Sequence, residues 1–260
     1  MRKIKKLIRF IFSFILDNCI AVYNSKNHSL LKKNIVLKNK FEGERVFIVM
    51  TGQSVDDFDL ISLKDEYVMG VNFMMLHHNF RDIDVNFYCL PGSWNTSTQD
   101  KLNWILQNVY SNSNDDALIF IQASGYEWAK NNYHFNEKNT YFTHSDTFIP
   151  GETPPYCGTG DIEKGSFSFS IGVAIDMGFK EIFLVGSDYT KSPQVVGHFY
   201  SPENQIEEHT DKLLNFHQKI EDYAVANNVK IWNVLDDGFS SPIFEGVNKS
   251  EIDLLNKEFR

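Results

Sequence analysis

The sequence predicts an α/β fold, a mostly parallel sheet with helices on both faces. Three observations predict it. Short continuous apolar runs at Arg45–Met50, Tyr67–Val71, Val85–Leu90, Ala117–Ile121, Ile182–Val185 and Val229–Val234 read as strands covered on both faces. Helical periodicity fills intervals between them, at Thr98–Tyr110 and Gln205–Asn227. The stretch from Gly165 to Asp188, GSFSFSIGVAIDMGFKEIFLVGSD, contains a whole unit: glycine turn, apolar helix, second glycine, buried strand. Together these describe one doubly covered α/β domain.

That unit organises the rest of the chain. Gly165, Ser166, Ser168 and Ser170 open its helix with small side chains, so the first amides are free to face a ligand. Gly178 suits the position just past the helix end, where positive φ is needed. The strand then runs out beside Gly186, Ser187 and Asp188, at the carboxyl edge where open α/β sheets bind ligands.

Composition sets the bounds. A chain of 260 residues with 42% apolar content buries one large core or two small ones. Its three cysteines, Cys19, Cys89 and Cys157, have neither zinc-ligand spacing nor a disulfide framework, which points to a reducing compartment. Residues 1–40 hold ten Lys or Arg and a single acid, Asp17. Removing these from the totals of 25 basic and 34 acidic residues leaves 15 and 33 over 41–260, a balance of −18. Such a body is a poor nucleic-acid binder, because phosphate neutralisation needs positive charge.

The basic excess lies at the start. Ile4, Leu7, Ile8, Ile11, Phe12 and Ile15 share a helical face, and Arg2, Lys3, Lys5, Lys6 and Arg9 cluster beside them. Arg9, Asp17 and Asn18 interrupt any window long enough to span a bilayer. Residues 1–24 are therefore expected to form an amphipathic helix. Residues 2–22 would lie on the cytoplasmic face of the inner membrane, making the protein cytoplasmic and peripheral. Packing of this helix on the domain or on a second subunit is the alternative, and a homo-oligomer stays open. Residues 25–43 read as a linker and 44–260 as the catalytic domain.

Within that domain the first strand runs into Thr51, Gly52, Gln53 and Ser54, a glycine-bearing turn of the kind that meets phosphates or nucleotides, though neither a Walker loop nor GxGxxG. Asn72 ends the second strand, where its amide would read a base or ribose or cap the next segment. Residues 136–164 read as a long loop, a lid or acceptor-binding segment. After Asp188 a second flexible stretch carries His198, the candidate general base, with His209 as its competitor. His77 and His78 fall on another expected helix and His217 on the last one, all with structural or solvated roles. No metal is expected, since no strand ends in the Asp-x-Asp of metal-dependent sugar transferases.

Thr51-Gly52-Gln53-Ser54, Gly70-Val71-Asn72, Gly165-Ser166 before GVAIDMGFKEIFLVGSD, His198–Tyr200 and Lys230–Asn233 occur in an order that resembles the bacterial lipooligosaccharide sialyltransferases. They resemble still more the surface-polysaccharide proteins with the MptE-like domain. The resemblance covers about residues 44–247. It implies a single Rossmann-like domain and a glycosyltransferase of lipopolysaccharide or capsule assembly, inverting and metal-independent, with a CMP-activated nonulosonic or related acidic sugar as donor. The acceptor would be a glycan or glycolipid. Thr51, Gly52, Gln53, Ser54 and Asn72 would face the nucleotide, and Gly165, Ser166 and Phe167, with Ser187 and Asp188, the donor's charged groups. His198 would take the acceptor proton. The chain departs from the sialyltransferases at Cys89 and at Thr51-Gly52, where they carry asparagines. Two other readings are an ATP- and magnesium-dependent pyrophosphokinase, as in archaeal MptE-like relatives, and a non-catalytic nucleotide-binding scaffold.

Overall fold

Each early strand places alternate residues in two separate cores. Phe47 and Val49 face one core with Val85, Tyr88, Phe183 and Val185, whereas Val46, Ile48 and Met50 face the other with Phe87, Ile182 and Leu184. A sheet apolar on both sides must be covered on both sides, and this is the burial that parallel strands need. The structure is a computed structural model that describes residues 30–90, 99–122, 126–132, 136–143, 165–201 and 205–252. The N-terminal helix expected over 1–24, and 144–164 of the expected lid, lie outside the described residues.

The strands are β1 (Arg45–Val49), β2 (Tyr67–Val71), β3 (Val85–Leu90), β4 (Leu118–Gln122), β5 (Thr140–Thr143), β6 (Glu181–Val185), β7 (Gln194–Val196), β8 (Gln205–Glu207), β9 (Lys230–Leu235) and β10 (Glu245–Asn248). Eight form one sheet in the order β10-β9-β6-β1-β2-β3-β4-β5, and every pairing in it is parallel. The chain winds outward from β1 to β5, then returns to lay β6 on the other side of β1. The order therefore reverses between β1 and β6, and the expected single Rossmann-like α/β domain is what the chain forms.

The helices are α1 (Gln99–Asn112), α2 (Tyr126–Asn132), α3 (Ser166–Met177) and α4 (Asp211–Ala226). Ile105, Leu106 and Val109 of α1 and Ala129 of α2 enter the first core. Almost all of α3, with Ile220 and Ala224 of α4, fills the second. Gly178 ends α3 at φ +99°, its N–H returning to the carbonyls of Ala174 and Ile175. No helix among the described residues is long and apolar enough to cross a membrane.

Several boundaries differ from the sequence expectation. Part of the expected loop at 136–164 is β5, whose Tyr141 and Phe142 are buried in opposite cores. The last helix starts at Asp211 rather than Gln205, because the Thr210 side chain accepts from Leu213 N–H and caps it there. Gln205–Glu207, expected to begin that helix, is β8 and pairs antiparallel with β7 from the stretch expected to be flexible. His77 and His78 follow a short 3₁₀ turn at Met74–Leu76 instead of lying on a longer helix.

The largest correction concerns the linker expected at 25–43, because residues 30–43 are a packed strap. Lys33–Leu37 is a 3₁₀ turn, in which residues i and i+3 eclipse, so Asn34 and Leu37 share the inner side and are both buried. Asn34 Nδ2 donates to Phe142 O at 2.7 Å and Lys33 Nζ to Thr140 O at 2.7 Å. The strap thus covers carbonyls of β5, the edge strand, which would otherwise be open to another chain. Asn39 and Phe41 N–H then bond the carbonyls of Asp176 and Met177 at the end of α3. Polar composition concealed this, because the bonds go to backbone carbonyls that no local pattern reveals. Leu37→Ala is expected to cost about 2–5 kcal/mol of unfolding free energy in urea. A cost near zero would mean that the strap does not contribute to the core.

Candidate functional site

Where the strand order reverses, the loops leaving β1 and β6 diverge and open a crevice at the carboxyl edge. They are joined at its floor by Gly52 N–H donating to Gly186 O at 2.8 Å. A side chain at Gly52 would collide with that carbonyl and with the Asp188 carboxylate, so the approach needs glycine. A cavity of about 320 Å³ results. Met50, Thr51 and Gly52 line it from β1, Val71 and Asn72 from β2, and Gly186, Asp188 and Tyr189 from β6. Ser166 opens α3 at its wall, and the chain from Gln194 to His198 closes another side.

Six residues singled out from the sequence therefore meet around one cavity: Thr51, Gly52, Asn72, Ser166, Asp188 and His198. His198 Nδ1 lies 3.0 Å from Thr51 Oγ1, and Phe199 N–H donates to Thr51 O at 3.1 Å. The His198 ring stacks on Tyr200 at 5.0 Å between centroids, with the edge of Phe73 beyond. Asn72 has φ +52°, its N–H bonded to Cys89 O and its carbonyl accepting from the Tyr88 hydroxyl at 2.6 Å. Its backbone is thereby held while its side chain borders the crevice.

The other candidates stand outside that lining. Gln53 is exposed beside the crevice, and Gly165 stands exposed before α3. Phe167 is buried among Tyr189, Phe216, His217 and Phe244. Ser187 is fully buried, with its carbonyl accepting from Thr190 Oγ1 at 2.6 Å. Asn233, quoted above from the closing strand motif, donates to Thr190 Oγ1 at 2.9 Å and holds the turn after Asp188. His209 Nε2 lies 2.7 Å from Lys191 O, which fixes its proton there. Cys89 is buried in the sheet against Met69.

Under the first turn lies an ion network that sequence reading missed. Lys191 is 1% exposed, and its Nζ lies 3.0 Å from Asp188 Oδ1 and 2.7 Å from Asp236 Oδ2. It also donates to Ser54 Oγ at 2.7 Å. Asp188 accepts from Ser54 N–H at 2.8 Å and from the Ser54 hydroxyl, and Lys249 pairs with Asp236 from the far side. Burial pulls the Asp236 carboxyl upward, but the hydrogen bonds and charges of Lys191 and Lys249 prevail and hold it below the ordinary carboxylate value. Two cations balance two carboxylates. In sequence, Lys191 sits in a polar loop with nothing local to mark it; only the return of β9 brings Asp236 to it.

With Asp188 committed to this network and no Lys or Arg among the described lining residues, the crevice offers dipoles rather than cations. α3 starts at Gly165, which offers no side-chain cap, and Ser166 at its first position forms a wall of the crevice. A second group, Asp56, His77 and His78, brings its ligand atoms within 4.8 Å of one another nearby. His77 Nδ1 accepts from Asn79 N–H at 3.2 Å, so its proton sits on Nε2, 3.2 Å from Asp56 Oδ1. That tautomer leaves Nε2 no lone pair for a metal ion. Burial, then the charge of His78, lowers the His77 pKa, with Asp56 opposing.

No protein-family model and no curated protein sequence matches the chain. The α/β fold is shared with a solved structure, and a weaker match reaches a second. One is the MAf glycosyltransferase from Magnetospirillum magneticum AMB-1, with a TM-score of 0.55 at 12% identity over 86% of this chain. The match spans 39% of that longer protein. Another is the sialyltransferase CstII from Campylobacter jejuni, in complex with a substrate analogue, cytidine-5'-monophosphate, with a TM-score of 0.47 at 15% identity. That match covers 74% of this chain and 80% of the sialyltransferase.

Two outcomes follow from this environment. Lys191→Met leaves Asp188 and Asp236 without their shared cation, and is expected to cost about 3–5 kcal/mol in denaturant unfolding. His217, fully buried beneath α3 with no hydrogen-bond partner at either ring nitrogen, has its pKa pulled down to about 4, by burial first and the charge of His209 second. Between that value and its ordinary 6.5 the unfolded chain binds a proton that the folded one refuses, so stability rises with pH. Acidification from 6.5 to 4 should therefore remove up to about 3 kcal/mol, and His217→Phe should flatten that slope. An unchanged slope in the variant would assign the acid sensitivity elsewhere.

Proposed function

We propose that the protein is a glycosyltransferase of cell-surface glycan assembly that uses a CMP-activated nonulosonic or related acidic sugar. The observation that carries this reading is the convergence of Thr51, Asn72, Ser166 and His198 on one crevice at the switch point. The fold likeness to a longer chain described as a glycosyltransferase agrees with it. The nucleotide would lie over the β1 turn and Asn72, with its phosphate at the start of α3. Helix-terminal amides there supply anion stabilisation without a cation, which is why a metal is not part of the reading.

His198 is the general base. With its proton on Nδ1, the imidazole donates to Thr51 Oγ1 and presents the Nε2 lone pair. The acceptor hydroxyl oxygen attacks the anomeric carbon, the bond from that carbon to the CMP phosphate oxygen breaks, and the hydroxyl proton passes to Nε2. Attack from the face opposite the leaving group inverts the anomeric centre. The acceptor is a glycan or glycolipid, reached from the cytoplasmic side of the membrane to which residues 2–22 attach the protein.

One experiment tests donor and base together. CMP should raise the melting temperature with EDTA present, by the equivalent of about 2.7 kcal/mol at a hundredfold excess over its dissociation constant. His198→Ala should keep that shift while losing about two to four orders of magnitude in transfer rate. Ser166→Ala should weaken both. A shift that requires ATP and magnesium would support a pyrophosphokinase instead. Binding of CMP with undiminished turnover in His198→Ala and loss in His209→Ala would reassign the base.

A further inference from the structure

Ile35 and Val36 stand out from the strap with 58% and 67% of their surfaces open. They are the one adjacent pair among the exposed large apolar side chains of the described residues. The 3₁₀ geometry explains their direction: with Asn34 and Leu37 turned inward, the two residues between them must face out. It does not explain their chemistry, since β-branched apolar residues gain nothing on an exposed helical turn. The strap is also firmly placed, held by Lys33 and Asn34 on β5 and by Asn39 and Phe41 at the end of α3.

The charge around the pair has one sign. Lys32, Lys38 and Lys40 are exposed beside it, and no acid occurs between residues 30 and 41. The rest of the domain carries the balance of −18 derived above, so this basic patch with an apolar tip opposes the remainder of the surface. We propose that Ile35 and Val36, ringed by Lys32, Lys38 and Lys40, form a second contact with an anionic lipid surface. This inference adds to the proposed membrane attachment through residues 2–22 a contact within the folded domain that stands or falls separately. Each lysine near an anionic surface strengthens binding about fivefold. Partial insertion of the two apolar side chains adds about tenfold. Because the strap is fixed to β5 and α3, this contact sets the orientation of the crevice relative to the bilayer, which a single terminal attachment does not.

The test is sedimentation of the full chain with vesicles of phosphatidylglycerol and phosphatidylcholine, and with phosphatidylcholine alone. Ile35→Ser/Val36→Ser should lower partitioning onto the anionic vesicles about tenfold with an unchanged melting temperature. Ile61→Ser, an exposed apolar residue elsewhere, should leave partitioning unchanged. A variant with Lys3, Lys5, Lys6 and Arg9 all replaced by Gln separates the two contacts. If that variant loses binding while the Ile35/Val36 variant retains it in full, the second contact is wrong and the terminal one stands. The reverse result supports the strap and overturns the reading of residues 2–22. Failure of the unmodified chain to bind anionic vesicles overturns both. A dimer in sedimentation velocity that Ile35→Ser/Val36→Ser dissociates, without change in vesicle binding, would also overturn the proposal by making this face an interface between copies.

Discussion

Lys191 lies between Asp188 and Asp236 with almost no contact with water, and the geometry of the crevice depends on it. Its ammonium group and the Asp188 carboxylate converge on Ser54, which ties the loop after β1 to the loop after β6. Asp236 adds the end of β9, so three strand ends are bound to one buried charge. Such networks are weak sources of net stability, because desolvation consumes most of the Coulombic gain. What this one supplies is a defined arrangement, since any displacement of the loops would strand a charge away from water.

The same commitment shapes the electrostatics of the crevice. Asp188, which borders it, is neutralised from below, so a bound anion does not meet an open carboxylate. Beside apolar side chains, the lining then presents backbone groups, hydroxyls, two carboxamides and an imidazole. In the proposed function such a set would hold an anion by orientation rather than by net charge. On the outer side, His198, Tyr200, Phe199 and Phe73 form a run of rings in mutual contact. His198 therefore has a defined plane although it is exposed, and its link to Thr51 couples it to the turn that the ion network holds.

Charge and packing are divided along the chain in a related way. The basic residues that precede the domain extend into the strap, where Lys33 gives its donors to carbonyls of the edge strand while Lys32, Lys38 and Lys40 remain exposed. One short segment thus closes the sheet edge and presents positive charge, two roles that a mobile connection could not combine.

The strands and their direction were legible in the sequence, because runs such as Val46–Val49 and Ile182–Val185 are apolar at consecutive positions. Only a sheet covered on both faces accepts that pattern. Glycine and small residues around α3 likewise announced a helix start near a ligand edge, and Thr51, Asn72, Ser166 and His198 could be chosen from their places after strands and turns. Other features were decided by tertiary structure. Residues 30–43 read as a linker because their bonds go to distant carbonyls, and β5 read as loop because four residues carry too little pattern. The resemblance implies Phe167 and Ser187 at the donor, yet the helix phase and the turn after β6 bury both side chains. Nothing local in the sequence marks Lys191. Its partners lie at Asp188, Asp236 and Ser54, and only the crossing of β1, β6 and β9 brings those charges together, because a local sequence records which groups are present but not the long-range closure that removes them from water.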